Sequence, residues 1–171
     1  MPGPLKNPRH ERLDQLQELL AYSPATGAFT WRVDRFRVKA GDVAGQPHPR
    51  GYWMVTVRPQ RILAHRLAWA FTHGYWPEGQ IDHINCDKRD NRIANLRLAS
   101  PAENTRNGRL RSTNTSGFKG VSFIKAEGVW RATIVVDGKQ THLGRFNTPE
   151  AAHAAYAEAA AREHGEFARI E

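Results

Sequence analysis

Cysteine is nearly missing from this chain: Cys86 stands alone among 171 residues. No intramolecular disulfide can form, and a thiolate-rich zinc site is excluded. A reducing compartment suits such a composition. Long apolar runs are missing as well, since no stretch approaches the roughly 20 apolar residues that span a bilayer. The opening MPGPLKNPRHER carries no apolar signal core. The expectation is a protein of the cytoplasm, in whichever cell hosts it, with no membrane partner. Internal repeats and low-complexity tracts are also absent.

Acidic charge is in short supply. Against 25 Lys and Arg stand 17 Asp and Glu, a formal +8, which favours a polyanionic partner such as nucleic acid. The surplus is uneven: residues 1–108 hold 16 basic and 10 acidic side chains, residues 109–171 hold 9 and 7. If DNA is the partner, the first part feels the stronger salt-dependent attraction.

Residues 8–21 place Leu13, Leu16, Leu19 and Leu20 at helical spacing, and the following YSPATGAFTW reads as a turn leading into a short strand. GYWMVTV, RPQ and RILAH read as a hairpin of alternating strands. HRLAWAFTHG reads as a helix ended by Gly74. From Gln80 to Asn107 the chain turns dense in Asp, Asn, His and Arg, poor material for a core. A helix begins where Ser100, Pro101 and Glu103 supply an N-cap, a first-turn proline and the acidic partner of a capping box, which places Asn104 near its start. GRLRSTNTSG, residues 108–117, reads as a linker. Beyond it come three short strands, FKGVSFI, VWRATIVV and KQTHLGRF, and a helix running from Thr148 and Pro149 to Gly165. Ala152, Ala155 and Ala159 share a face of that helix.

The segment IDHINCDKRDNRIANLRLASPAENTRN sets Asp82 beside His83, with Asn95 twelve and Asn104 twenty-one positions after His83. In order and spacing it resembles the HNH nucleases, in the phage and intron homing form that ends in Asn rather than His. The chemistry suits those residue types. Hydrolysing a phosphodiester needs an activated water and neutralisation of charge growing on the phosphate oxygens. A neutral His, with an ordinary pKa of about 6.5, takes a proton from water at physiological pH, so His83 is the candidate base. Asp82 and Asn104 offer hard oxygen ligands for one divalent cation, magnesium, with manganese or nickel able to substitute. The resemblance implies a ββα-metal (His-Me finger) core in which Asp82 and Asn104 hold the metal, His83 is the base and Asn95 braces the loop. Asp87, Asp90 and Asn91 are read as loop and turn formers, His65 as a satisfied buried histidine, and Cys86 as a small loop residue. Lys and Arg side chains between Lys88 and Arg111, among them Arg106 and Arg109, are placed on phosphates.

GFKGVSF, VWRATIVV, THLGRF, PEAAHAAYAEAA and GEFARI together resemble the APETALA-type DNA-binding domain. Alternation puts Trp130, Ala132, Ile134 and Val136 on one sheet face, and Arg131, Thr133 and Val135 on the other. The first face is expected against the Ala-rich helix. In the resembling family the sheet lies in the major groove, which implies Lys119, Ser122, Arg131, Thr133, His142 and Arg145 as the contacting set. Ser122, Val135 and His142 stand where plant members carry Arg or Trp, so base specificity does not transfer.

The fold expected is α+β: a nuclease domain over residues 1–108 with an N-terminal helix and hairpin, a linker over 109–117, and a three-stranded antiparallel sheet plus one helix over 118–171. The function expected is metal-dependent cleavage of double-stranded DNA by a phage or mobile-element homing-type nuclease. Two alternatives stand beside it: a DNA-binding regulator with a decayed nuclease fold, and a packaging or repair nuclease acting with a protein partner.

Overall fold

A computed structural model describes residues 13–110 and 112–170. The protein is mixed α+β, with four α-helices and several small antiparallel sheets among the described residues. Contacts divide it into two compact units, Met1–Ser100 and Pro101–Glu171.

The first unit opens with α1 (Leu13–Leu19) and a hairpin of β1 (Leu20–Tyr22) and β2 (Phe29–Trp31). The expected helix over 8–21 therefore needs correction. Residues 8–12 lie outside the described part, and Leu20, though at helical spacing, begins a strand paired with Trp31. Pairing overrides local propensity there. Next come β3 (Gln46–Pro47), β4 (Trp53–Val57) and β5 (Gln60–Leu63), in the sheet order β3-β4-β5. The expected hairpin is β4 and β5; β3 is too short and polar for alternation to reveal. α2 (Ala64–His73) follows at once and is closed by Gly74, whose φ of 77° suits a residue with no Cβ. One core joins these pieces, with Phe29, Leu20, Leu67 and Val55 as its largest fully buried side chains.

β6 (Gln80–His83) and β7 (Leu96–Ala99) pair antiparallel, with Asp82 opposite Arg97 and His83 opposite Leu96. Ile81 and Leu96 root this ribbon in the core. The loop between them is fastened from below. The hydroxyl of Tyr22 donates to the Asn91 carbonyl at 2.8 Å. Gly27, at φ 74°, lies so close that a Cβ there would stand 2.5 Å from the Arg92 nitrogen.

The second unit begins with α3 (Pro101–Asn107), so Asn104 belongs to it. The stretch expected to be a linker is partly organised: Ser116 Oγ lies 2.9 Å from the carbonyls of Phe118 and Val121, and Asn114 Oδ1 accepts from the Gly117 amide. β8 (Val121–Ile124), β9 (Val129–Val136) and β10 (Lys139–Phe146) form one antiparallel sheet with β9 central. α4 (Pro149–His164) packs on it, its N-cap Thr148 accepting from the Ala151 amide. Ala152, Tyr156, Ala159 and Ala160 form its buried face, against Ala132, Ile134 and Val121. Ala155, expected on the same face, is only half-buried.

Candidate active site and nucleic-acid interface

Asp82 and His83 are 3% and 5% exposed, unusual for a polar pair on a short strand. A buried carboxylate needs a partner, and Arg97 supplies one from the facing strand, its Nε 2.9 Å from Asp82 Oδ2. The side chain of Arg97 is itself almost fully buried.

His83 is held by Asn91. Its Nε2 lies 3.4 Å from Asn91 Oδ1, while Asn91 Nδ2 donates to the Arg89 carbonyl at 3.0 Å. With the amide so oriented, Oδ1 can only accept, so the imidazole proton sits on Nε2 and the ring's lone pair on Nδ1. Burial pushes the His83 pKa below its ordinary value, against the opposing pull of the Asn91 bond and the carboxylates of Asp82, Asp87 and Asp90. The ring is therefore neutral at physiological pH, the form a general base requires.

Two further rings wall the site. His65 stands edge-on to His83 with centroids 5.0 Å apart, and Tyr52 lies 5.1 Å from His65 and 6.1 Å from His83. His65 is buried as expected but not satisfied: its Nδ1 has no hydrogen-bond partner among the described residues. Burial, with His83 and Arg66 adding to it, lowers its pKa to about 3. Lys88 Nζ sits 4.7 Å over the Tyr52 ring, bringing a cation to the rim.

The loop is built on Asn95. Its Oδ1 accepts from the Asn85 amide, and its Nδ2 donates to Asn85 Oδ1 and the Asp90 carbonyl. Asp90 takes a two-pronged bond from Arg92, which holds its pKa at about 2, and Asp87 Oδ1 caps the Arg89 amide. Cys86 occupies a turn with φ 59°. Sequence reasoning missed Asn91, Arg97 and Tyr52 as parts of the site. A register argument pairing 80–83 with 96–99 points to Arg97; nothing in the sequence separates Asn91 from the other Asn residues of the loop.

Asn104 lies on α3 in the second unit, half-buried. No group of three or more His, Cys, Asp or Glu among the described residues is disposed to hold a metal. The donors named from sequence, one carboxylate and one amide oxygen, fit a hard cation in chemistry, provided phosphate and water complete the shell.

On the open face of the second unit, Arg131, Thr133, His142 and Arg145 line one shallow groove with Ile124 and Gln140. Ser122 joins them, its Oγ accepting from Arg131 Nη2 at 3.3 Å. His142 and Arg145 are an odd number of positions apart, so simple alternation sends them to opposite faces. A bulge between His142 and Gly144 resets the phase and brings both outward. Arg145 pairs with Glu127 at 2.9 Å. Lys119 is placed otherwise than expected: its Nζ lies 2.7 Å from the Arg106 carbonyl and 3.2 Å from that of Arg169, tying backbone together within the unit. Arg106 is half-buried on α3, and Arg109 is exposed.

Residues 63–106 match the family described as HNH endonuclease. Protein 3.8 of Escherichia phage T7 is 38% identical over 108 residues, covering 62% of this chain and 88% of that protein. The chain belongs to the family of phage T7 Protein 3.8. Its HNH endonuclease domain takes in α2, the β6–β7 ribbon and nearly all of α3. No solved structure matches.

Proposed function

We propose that this HNH protein is a metal-dependent endonuclease that hydrolyses phosphodiester bonds of double-stranded DNA, of the phage homing type. The observation that carries the reading is the buried Asp82–His83 pair, with burial lowering the His83 pKa and its Nε2 facing the Asn91 amide oxygen at 3.4 Å. In this scheme His83 Nδ1 takes a proton from the attacking water. The water oxygen bonds to phosphorus, the bond from phosphorus to the leaving oxygen breaks, and that oxygen recovers a proton from solvent. Asn91 holds the imidazole in the required tautomer, and Asn95 keeps the loop that bears Asn91 in shape. Asp82 and Asn104 would hold a divalent cation, magnesium with manganese or nickel as substitutes, in a ββα-metal core, and the ion would supply charge neutralisation at the phosphate. The open face of the APETALA-like sheet docks on duplex DNA through Ser122, Arg131, Thr133, His142 and Arg145, with Arg106 and Arg109 on phosphates. Lys119 is left out because its ammonium serves the backbone.

Plasmid cleavage with and without magnesium is the test, and cleavage that needs the added ion is the result expected. The second reading, a DNA-binding regulator that keeps the fold without cutting, is favoured by one observation: Arg97 already neutralises Asp82. Duplex binding without cleavage under magnesium, manganese or nickel establishes that reading instead.

A further inference from the structure

Away from the site, the first unit carries a second feature that its fold does not use. Arg35 and Val38 exchange both backbone hydrogen bonds, at 2.9 and 3.0 Å, leaving Phe36 and Arg37 as the two residues of a tight turn. Phe36 is 86% exposed there. An aromatic ring left in water forgoes the stabilisation its burial would give, and here the exposed ring borders a cavity rather than standing alone. Arg37 adopts φ 63°. Glycine meets that conformation without strain, yet the turn keeps an arginine.

Two guanidiniums of the turn lie against aromatic rings. Arg37 Cζ lies 4.9 Å from the Phe36 centroid, and Arg35 Cζ lies 4.8 Å over Trp31. Behind the turn is a cavity of about 360 Å³, lined by Trp31, Arg35, Phe36, Val38, Thr56 and Arg58. Among the described residues no carboxylate pairs with Arg35, Arg37 or Arg58. The acids flanking the turn are engaged elsewhere, Asp34 by Lys39 Nζ at 2.8 Å and the Ala40 amide, and Asp42 by the Lys39 amide at 2.7 Å.

We infer that this turn is a duplex-DNA contact in which Phe36 wedges against a base step while Arg35, Arg37 and Arg58 take the flanking phosphates. Apolar wedges unstack a step from the minor-groove side, and guanidinium forks match phosphate geometry. The charge complementarity selects DNA: three guanidiniums without a carboxylate partner, in one turn and cavity wall with an exposed aromatic ring, suit a polyanion with stacked bases. The inference rests on the reading that duplex DNA is the substrate, and it adds a contact that neither the catalytic loop nor the C-terminal sheet provides.

The full-length protein is titrated, in EDTA so that nothing is cut, onto a short duplex carrying 2-aminopurine at its TA steps, which unstack readily. The native protein is expected to raise the 2-aminopurine fluorescence at saturation. Phe36→Ala loses most of that rise and binds about tenfold more weakly, the scale of one lost base-aromatic stack, while the salt dependence stays as it was. Phe36→Trp keeps the rise. Replacing Arg35, Arg37 and Arg58 together by Ala flattens the slope of log K against log salt by about 2.7, three phosphate contacts' worth. Phe36→Ala with native affinity and fluorescence overturns the wedge, as does an unchanged salt slope in the triple variant. In that outcome the endonuclease reading stands, whereas a native protein that binds no duplex removes both.

Discussion

In the first unit the polar side chains of the site are sunk in the protein, with Asp82, His83, Asn91 and Asn95 all at 8% exposure or less. In the second, Arg131, His142 and Arg145 stand exposed on an open sheet face. Burial makes each contact in the first set strong and singular, because a lost partner leaves another polar group unsatisfied. Exposure makes the second set weak and distributive, since each phosphate contact is screened and adds a similar increment. One region concentrates buried polar groups at a point, the other spreads exposed cations over an area.

The largest expected effect tests the first half of that contrast. His83→Ala should lower cleavage by at least about a hundredfold, the scale of a lost general base, and leave duplex binding in place. Cleavage rates and binding isotherms on the same preparation decide it, and near-native cleavage removes His83 from the role.

Asn91 comes next, because it acts through His83. Asn91→Ala should slow cleavage by about ten- to a hundredfold, as the loss of a supporting partner commonly does. A merely structural role predicts the same loss, so the pH profile is the discriminating readout. Cleavage requires the neutral base and falls as pH drops through its pKa. The Asn91 bond raises that pKa, so Asn91→Ala should move the acid limb lower. Asn91→Asp, which sets a carboxylate beside the ring, should move it higher. Profiles with unmoved limbs show that Asn91 only shapes the loop.

Much of this contrast was legible in the sequence, for a physical reason. Strands that bury one face must alternate, and β4 and β9 do, so the burial of Ala132 and Ile134 against the exposure of Arg131 followed from period two. α2 was marked by its apolar stripe and Gly74, α4 by Thr148, Pro149 and its alanines. The site was half legible. Spacing singled out Asp82, His83, Asn95 and Asn104, but polar groups that meet by tertiary contact leave no periodic trace. Hence Asn91 and Asp90, neighbours in the loop, serve different ends: one faces His83 and the other clasps Arg92. Leu20 misled for the converse reason, fitting the helix's spacing while its partner Trp31 lay eleven residues ahead.

The second half of the contrast predicts a smaller and graded effect. Arg131→Ala with Arg145→Ala should weaken duplex binding about tenfold at moderate salt and reduce the salt slope by about two. Cleavage at saturating protein should stay near native. Arg145 must leave Glu127 to reach DNA, an exposed pair that costs little to break. An unchanged slope shows that the groove does not meet phosphates.

The last expected effect is on stability rather than on cleavage or binding, and it sits in the buried region alone. His65 has a pKa of about 3 when folded, against 6.5 as the ordinary value. Between those limits the unfolded chain holds a proton that the folded chain does not. Stability is thus fully present above pH 6.5 and is lost as pH falls toward about 3, at up to about 1.4 kcal/mol per pH unit from this one group. Other carboxylates and histidines contribute slopes of their own, so the measurement is a difference: urea unfolding of the native protein and of His65→Phe at several pH values between these limits. Phe keeps a ring against His83 and removes the unsatisfied Nδ1, so the substitution is expected to be tolerated. Its ΔG should fall less steeply with acid than the native protein's. Parallel slopes show that His65 protonates in the folded state as readily as in water, and that the wall beside His83 is wet.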